Sequence, residues 1–98
     1  MTITKKTQGS ALTIALEGRL DTTTAPELEA ELNAALDGVT ELTIDMEQLL
    51  YLSSAGLRVI LAAQKRMTKQ GRMTVTHVCS EIMEVFEITG FVDILNIE

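Results

Sequence analysis

Ninety-eight residues, 46% of them hydrophobic, carry eight basic and fourteen acidic side chains for a formal net charge of −6. That length supports one hydrophobic core, and that apolar content argues against disorder. The negative field repels phosphodiester backbones with no lysine–arginine stripe to offset it, which sets nucleic acid aside as a partner.

Ile3 begins a short strand, and Gln8-Gly9-Ser10 supplies a turn. Leu12, Ile14 and Leu16 then alternate with Thr13, Ala15 and Glu17, which predicts a second strand and a hairpin. Gly18 breaks the pattern before Arg19-Leu20-Asp21. Thr24 with Glu27 reads as a capping box, and Pro26 suits a first helical turn. Leu28, Leu32 and Leu36 form one buried stripe on this helix, which Asp37-Gly38 ends. Thr40 to Asp45 alternates again, with Leu42 and Ile44 on one side, as a central strand.

The stretch from Asp45 to Ile60 reads as a strand end, a loop, and two hydroxyl residues, Ser53 and Ser54, where an amphipathic helix begins. This helix spans about Ser54 to Gln70, with Leu57, Ile60, Leu61 and Gln64 on one face and Gly71 as its stop. A serine at its start can cap it, and a phosphate on that serine would meet the helix's partial positive end. Lys65, Arg66 and Lys69 fall near the other end, where they complement the negative pole. Met73, Val75 and His77 alternate in a further strand. Ser80 is placed to cap a third helix carrying Ile82, Val85, Phe86 and Thr89 on one face and stopping at Gly90. Phe91 to Ile97 is an apolar tail, a helical turn followed by a short edge strand. Strands alternating with helices imply an α/β layer fold in one domain over residues 1–98.

Catalytic and metal chemistry find little support. His77 is the only histidine, no Gly-x-Ser-x-Gly elbow is present, and one histidine with one cysteine is no ligand set. No enzyme activity, metal or cofactor is expected. Met46, Met67, Met73 and Met83 read as core filler. Cys79 cannot form an internal disulfide, and a reducing cytoplasm suits it. The N-terminal residues lack a signal peptide's apolar region, and no run approaches the roughly 18 apolar residues of a membrane span. A cytoplasmic protein away from the membrane is the expectation.

Four motifs, in order and at suitable spacing, carry a resemblance that covers nearly the whole chain. They are Gly18-Arg19-Leu20-Asp21, Leu42-Thr43-Ile44-Asp45, Tyr51-Leu52-Ser53-Ser54-Ala55-Gly56-Leu57 and Phe86-Glu87-Ile88-Thr89-Gly90-Phe91. Together they resemble the STAS domain of bacterial anti-sigma factor antagonists. The resemblance implies a mixed sheet of four to five strands with helices mainly on one face. It also implies partner switching. The unmodified protein binds an anti-sigma factor that is a serine kinase, phosphorylation breaks the complex, and a serine phosphatase resets it.

Aligned on Gly56, the family's switch serine corresponds to Ser54, with Ser53 as the less favoured acceptor. Ser53 stands where the family carries an aspartate, and Arg58 where it often carries a small residue. The implied partner surface comprises Asp21, Thr22, Thr23, Ser53, Ser54, Ala55, Gly56 and Arg58, and a phosphate there would sit on an acidic face next to Asp21 or Asp45. Gly56 serves equally as a point of close approach for a partner and as a small residue for helix-to-sheet packing. For Ser54 the bland alternative is plain capping. A STAS scaffold attached to a transporter, with no phosphorylation cycle, is the competing reading of the whole chain.

Overall fold

The computed structural model describes residues 1–98. The first strand, β1 (Thr2–Gln8), folds back on β2 (Ala11–Leu20) as an antiparallel hairpin. Gln8 pairs with Ala11, so Gly9 and Ser10 form a two-residue turn in which Gly9 takes a φ of +62°. Such turns favour glycine because their backbone must match the strands' twist with φ above zero. The elements that follow are α1 (Ala25–Ala35), β3 (Glu41–Leu52), α2 (Ser54–Gln70), β4 (Arg72–Thr76) and α3 (Ser80–Thr89). A single 3-10 turn, Phe91–Asp93, leads into the tail.

The sheet order is β1-β2-β3-β4, with β2 parallel to β3 and β3 parallel to β4. Ile97 adds one parallel bridge to Val75, the trace of a fifth strand. The mixed four-to-five-strand sheet expected from the sequence is present.

Alternation places Leu12, Ile14 and Leu16 of β2, Leu42, Ile44 and Met46 of β3, and Met73 and Val75 of β4 in the core. Leu28 and Leu32 cover them from α1 and Leu36 from its C-cap, Ile60, Ala63 and Met67 from α2, and Ile82 and Phe86 from α3. All belong to one cluster of 24 buried residues, so the helices share a single side of the sheet. Each large aliphatic side chain fully buried there contributes about 1.5–3 kcal/mol. On α2 the buried stripe is shifted from the expected one. Leu57 and Ile60 are inside, whereas Leu61 and Gln64 are only half-buried beside Ala63 and Met67.

The outer strand β1 is nearly all exposed and carries Lys5 and Lys6, a common protection against edge-to-edge pairing. Lys5 also forms an ion pair with Glu31 of α1.

Several local expectations are corrected. Residues 46–52 are strand, not loop, because β3 gains two extra residues against β2. Three residues of β3 span the Ala15–Glu17 step, and two span the Gly18–Arg19 step. These bulges stretch the buried spacing from two to three, giving Met46, Leu49 and Leu52. Gly18, with φ of +107°, does not end β2 but lies within it between those irregularities.

The Thr24 side chain makes no helix-cap bond, because its hydroxyl donates to the Arg19 carbonyl and accepts from the Asp21 amide, both at 2.8 Å. Cys79, not Ser80, is the N-cap residue of α3. His77 lies just past β4, in the left-handed region with φ of +56°.

Gly71 shows how closely the elements pack. A methyl group there would stand 1.9 Å from the Thr40 carbonyl oxygen, a backbone atom that also accepts from the Arg72 amide at 3.0 Å. Gly71→Ala is therefore expected to destabilise the fold by roughly 1–3 kcal/mol through overpacking. Urea denaturation measures this, and an unchanged midpoint would contradict the close approach.

Candidate partner-docking face at the start of helix α2

β2 and β3 run parallel and end side by side, with Leu20 paired to Leu52. The residue after each strand therefore lies at the same edge of the sheet. The Ser53 amide donates to the Leu20 carbonyl at 2.9 Å, tying the start of α2 to the end of β2. Gly56 is buried beneath this junction. A methyl group on it would come within 2.7 Å of side-chain carbons of both Leu20 and Leu52. Helix-to-sheet packing thus accounts for this glycine.

The two serines divide the work at the helix start. Ser53 has an extended backbone, and its hydroxyl oxygen accepts from the Gly56 amide at 3.4 Å, so Ser53 is the N-cap. A serine in place of an aspartate preserves this function, because both side chains cap well. Ser54 is the first helical residue, exposed, with its hydroxyl engaged by no other group of the protein. Capping does not explain Ser54.

Across the junction, the loop after β2 is held by one carboxylate. Oδ1 of Asp21 accepts from the Thr23 hydroxyl at 2.7 Å, the Thr23 amide at 3.0 Å and the Thr24 amide at 3.2 Å. The Thr23 hydroxyl bond, above all, holds the Asp21 carboxyl below its ordinary pKa, and the two amides add to it against some desolvation. Oδ2 of Asp21 lies 3.8 Å from Nε of Arg19, whose guanidinium sits 4.2 Å above the Tyr51 ring.

Thr22 is exposed and, with Pro26 and Glu29 of α1 and Ala55 and Arg58 of α2, lines an open groove of about 350 Å³. Ala55 is half-buried and Arg58 exposed.

Most of the expected partner residues are thus gathered on one face, with Gly56 beneath it. Asp45 does not belong to it. Its carboxylate accepts from the Glu47 amide at 3.0 Å and pairs with Nδ1 of His77 at 3.0 Å. Because β3 continues to Leu52, with Asp45 opposite Ala15 and Leu52 opposite Leu20, Asp45 lies roughly 20 Å along the sheet from Ser53.

Arg19 and Tyr51, which the sequence did not mark as part of this face, reach it through Asp21, and Leu50 is exposed next to Tyr51 in the chain. Leu50 is 75% and Tyr51 42% exposed, on the part of β3 that extends beyond its pairing with β4. Exposed large apolar side chains beside charged groups are a common anchor for a protein partner. No helix is long and apolar enough to cross a membrane.

Comparison with known proteins gives the family and agrees with the fold. The family model described as "Mlab, STAS domain" matches residues 3–96. BtrV of Bordetella bronchiseptica, which carries the name of an anti-sigma factor antagonist, is 39% identical over 84 residues. The match spans 84% of this chain and 72% of that protein. An anti-sigma factor antagonist from Mycobacterium paratuberculosis has the same fold, with a TM-score of 0.88 over 98% of this chain and 83% of that one at 23% identity. The Bacillus protein SpoIIAA in its phosphorylated form gives a TM-score of 0.77 over 99% of this chain and 91% of that one at 19% identity. The chain belongs to the STAS-domain family, among its anti-sigma factor antagonists.

The division between the serines has a measurable consequence. Ser53→Ala is expected to cost about 1 kcal/mol through loss of the cap, whereas Ser54→Ala should stay within about 0.5 kcal/mol of the parent. Urea titration of both variants decides it, and the reverse order would reassign the cap.

For Asp21 the folded pKa lies below the unfolded one, so its contribution to stability is present above an ordinary aspartate pKa (~3.9) and disappears as pH falls through the folded value. Carbon-detected NMR should show its carboxyl titrating below that ordinary value. Titration at or above it would rule out the hydrogen-bonded loop.

Proposed function

We propose that this protein antagonises an anti-sigma factor by partner switching, with Ser54 as the regulatory phosphorylation site. The partner would be an anti-sigma factor with serine kinase activity, and a serine phosphatase would reverse the modification. The observation that carries this reading is the exposed, unbonded Ser54 hydroxyl beside a separate cap at Ser53. The kinship with anti-sigma factor antagonists and the fold shared with phosphorylated SpoIIAA support it.

The chemistry needs nothing further from this chain. Oγ of Ser54 displaces ADP from the γ-phosphorus of ATP and loses its proton, with the catalytic groups supplied by the kinase. The product carries about −1.5 to −2 charges at neutral pH. In the free protein the first turn of α2 tolerates that charge, since its amides and dipole favour an anion. In a complex the same dianion must be desolvated against the partner, next to the Asp21 carboxylate. Moving a two-state competition from one extreme to the other takes roughly 5 kcal/mol, a magnitude within reach of a buried dianion but not of a solvated surface charge.

After incubation with the cognate kinase and ATP, mass spectrometry is expected to place phosphate on Ser54. Modification of Ser53 alone, or of neither serine, would contradict the assignment. By titration calorimetry Ser54→Ala should retain partner affinity, and Ser54→Asp should weaken it by at least about tenfold, or 1.4 kcal/mol. Equal affinities would exclude a charge mechanism.

A further inference from the structure

The protein has four arginines, and three of them reach a carboxylate within ion-pair distance: Arg19 with Asp21, Arg66 with Asp37, and Arg72 with Glu98. Arg58 reaches none. It is exposed on the first turns of α2 and lines the groove between the starts of α1 and α2. Glu29 of α1 lines the same groove but does not pair with it. The neutral Ser53 cap adds no carboxylate of its own.

Helical geometry sets what Arg58 can meet. At about 100° per residue, Ser54 and Arg58 lie only ~40° apart around the axis, with their Cβ atoms about 5–6 Å apart. Ser53 is a further residue back and outside the helix, so its side chain does not share that face. An anion four residues before a cation is also the favoured order of charges along a helix. The planar guanidinium fork matches two phosphate oxygens at once, which an ammonium does not.

We propose that a phosphate on Ser54 is met by Arg58 in an intramolecular ion pair, which withdraws this guanidinium from the docking face. The inference rests on Ser54 being the modified residue. Phosphorylation would then act twice on a partner. It adds a dianion to the face, and it removes the one arginine free to bind a partner carboxylate. In the free protein the same pair partly neutralises the phosphate and steadies the first turns of α2.

The test installs phosphoserine at position 54 during translation, so no kinase is needed, and follows the phosphate's second ionisation by phosphorus NMR. With Arg58 present the ionisation should fall about 0.5 pH unit lower than in Arg58→Gln. Arg58→Lys should lie between the two, and about 1 M salt should shrink the difference. Phosphoserine installed at position 53 should show no dependence on Arg58.

Identical titrations in the parent and Arg58→Gln would overturn the proposal, as would an equal Arg58 effect at both positions. Mapping of the kinase's own phosphosite is a separate measurement. Phosphate found elsewhere would remove the switch reading of Ser54 while leaving the titration result standing.

Discussion

The hydrogen bond from the Ser53 amide to the Leu20 carbonyl ties the start of α2 to the end of β2 at the candidate docking face. It extends the parallel pairing of β2 and β3 by one residue past Leu52 and sets the point at which the chain turns into α2. Leu20 and Leu52, buried beneath Gly56, seat the helix start on the core, while the Asp21 loop is delivered to the same edge by the end of β2. The candidate docking face and the core thus meet at one junction. Because Ser53 both anchors and caps, the helix start depends on no bond from the Ser54 hydroxyl.

The face itself is chemically mixed. Tyr51 offers apolar area, with exposed Leu50 next to it in the chain, Arg19 stacks on Tyr51, and Asp21 has its carboxylate oriented by three hydrogen bonds from its own loop. Such a face gains affinity from the apolar anchors and selectivity from the charges at their margin. The dianion proposed at Ser54 would act on the second of these. On the proposed reading it leaves the apolar side chains in place and changes only the charge beside them.

Much of this was legible in the sequence because its signals are periodic. The stripe Leu28–Leu32–Leu36, the alternation in β2, and the span of α2 all follow from spacing, and each appears where the pattern placed it. The failures share a cause in local competition. A bulge adds a residue without any compositional mark, so the three-residue spacing of Met46, Leu49 and Leu52 resembled a loop. The misplacement of Asp45 beside the serines followed from that shortened strand. Thr24 carried the pattern of a capping box, yet its hydroxyl is taken by the Arg19 carbonyl and the Asp21 amide, a tertiary choice that spacing does not encode. Two adjacent serines were equally good caps by type, and only the backbone of Ser53 separates them. Leu49 and Leu50 are identical in sequence terms, but one is buried and the other 75% exposed.

On the proposed switch, charge at Ser54 alters the docking face while the fold stays as it is. The most direct measurement is a comparison of amide NMR spectra of the protein with serine and with phosphoserine at position 54. Shifts confined to the first turns of α2 and to the adjoining Asp21–Thr24 loop are the result expected. Shifts spreading through β4 and α3, or loss of dispersion across the core, would contradict it.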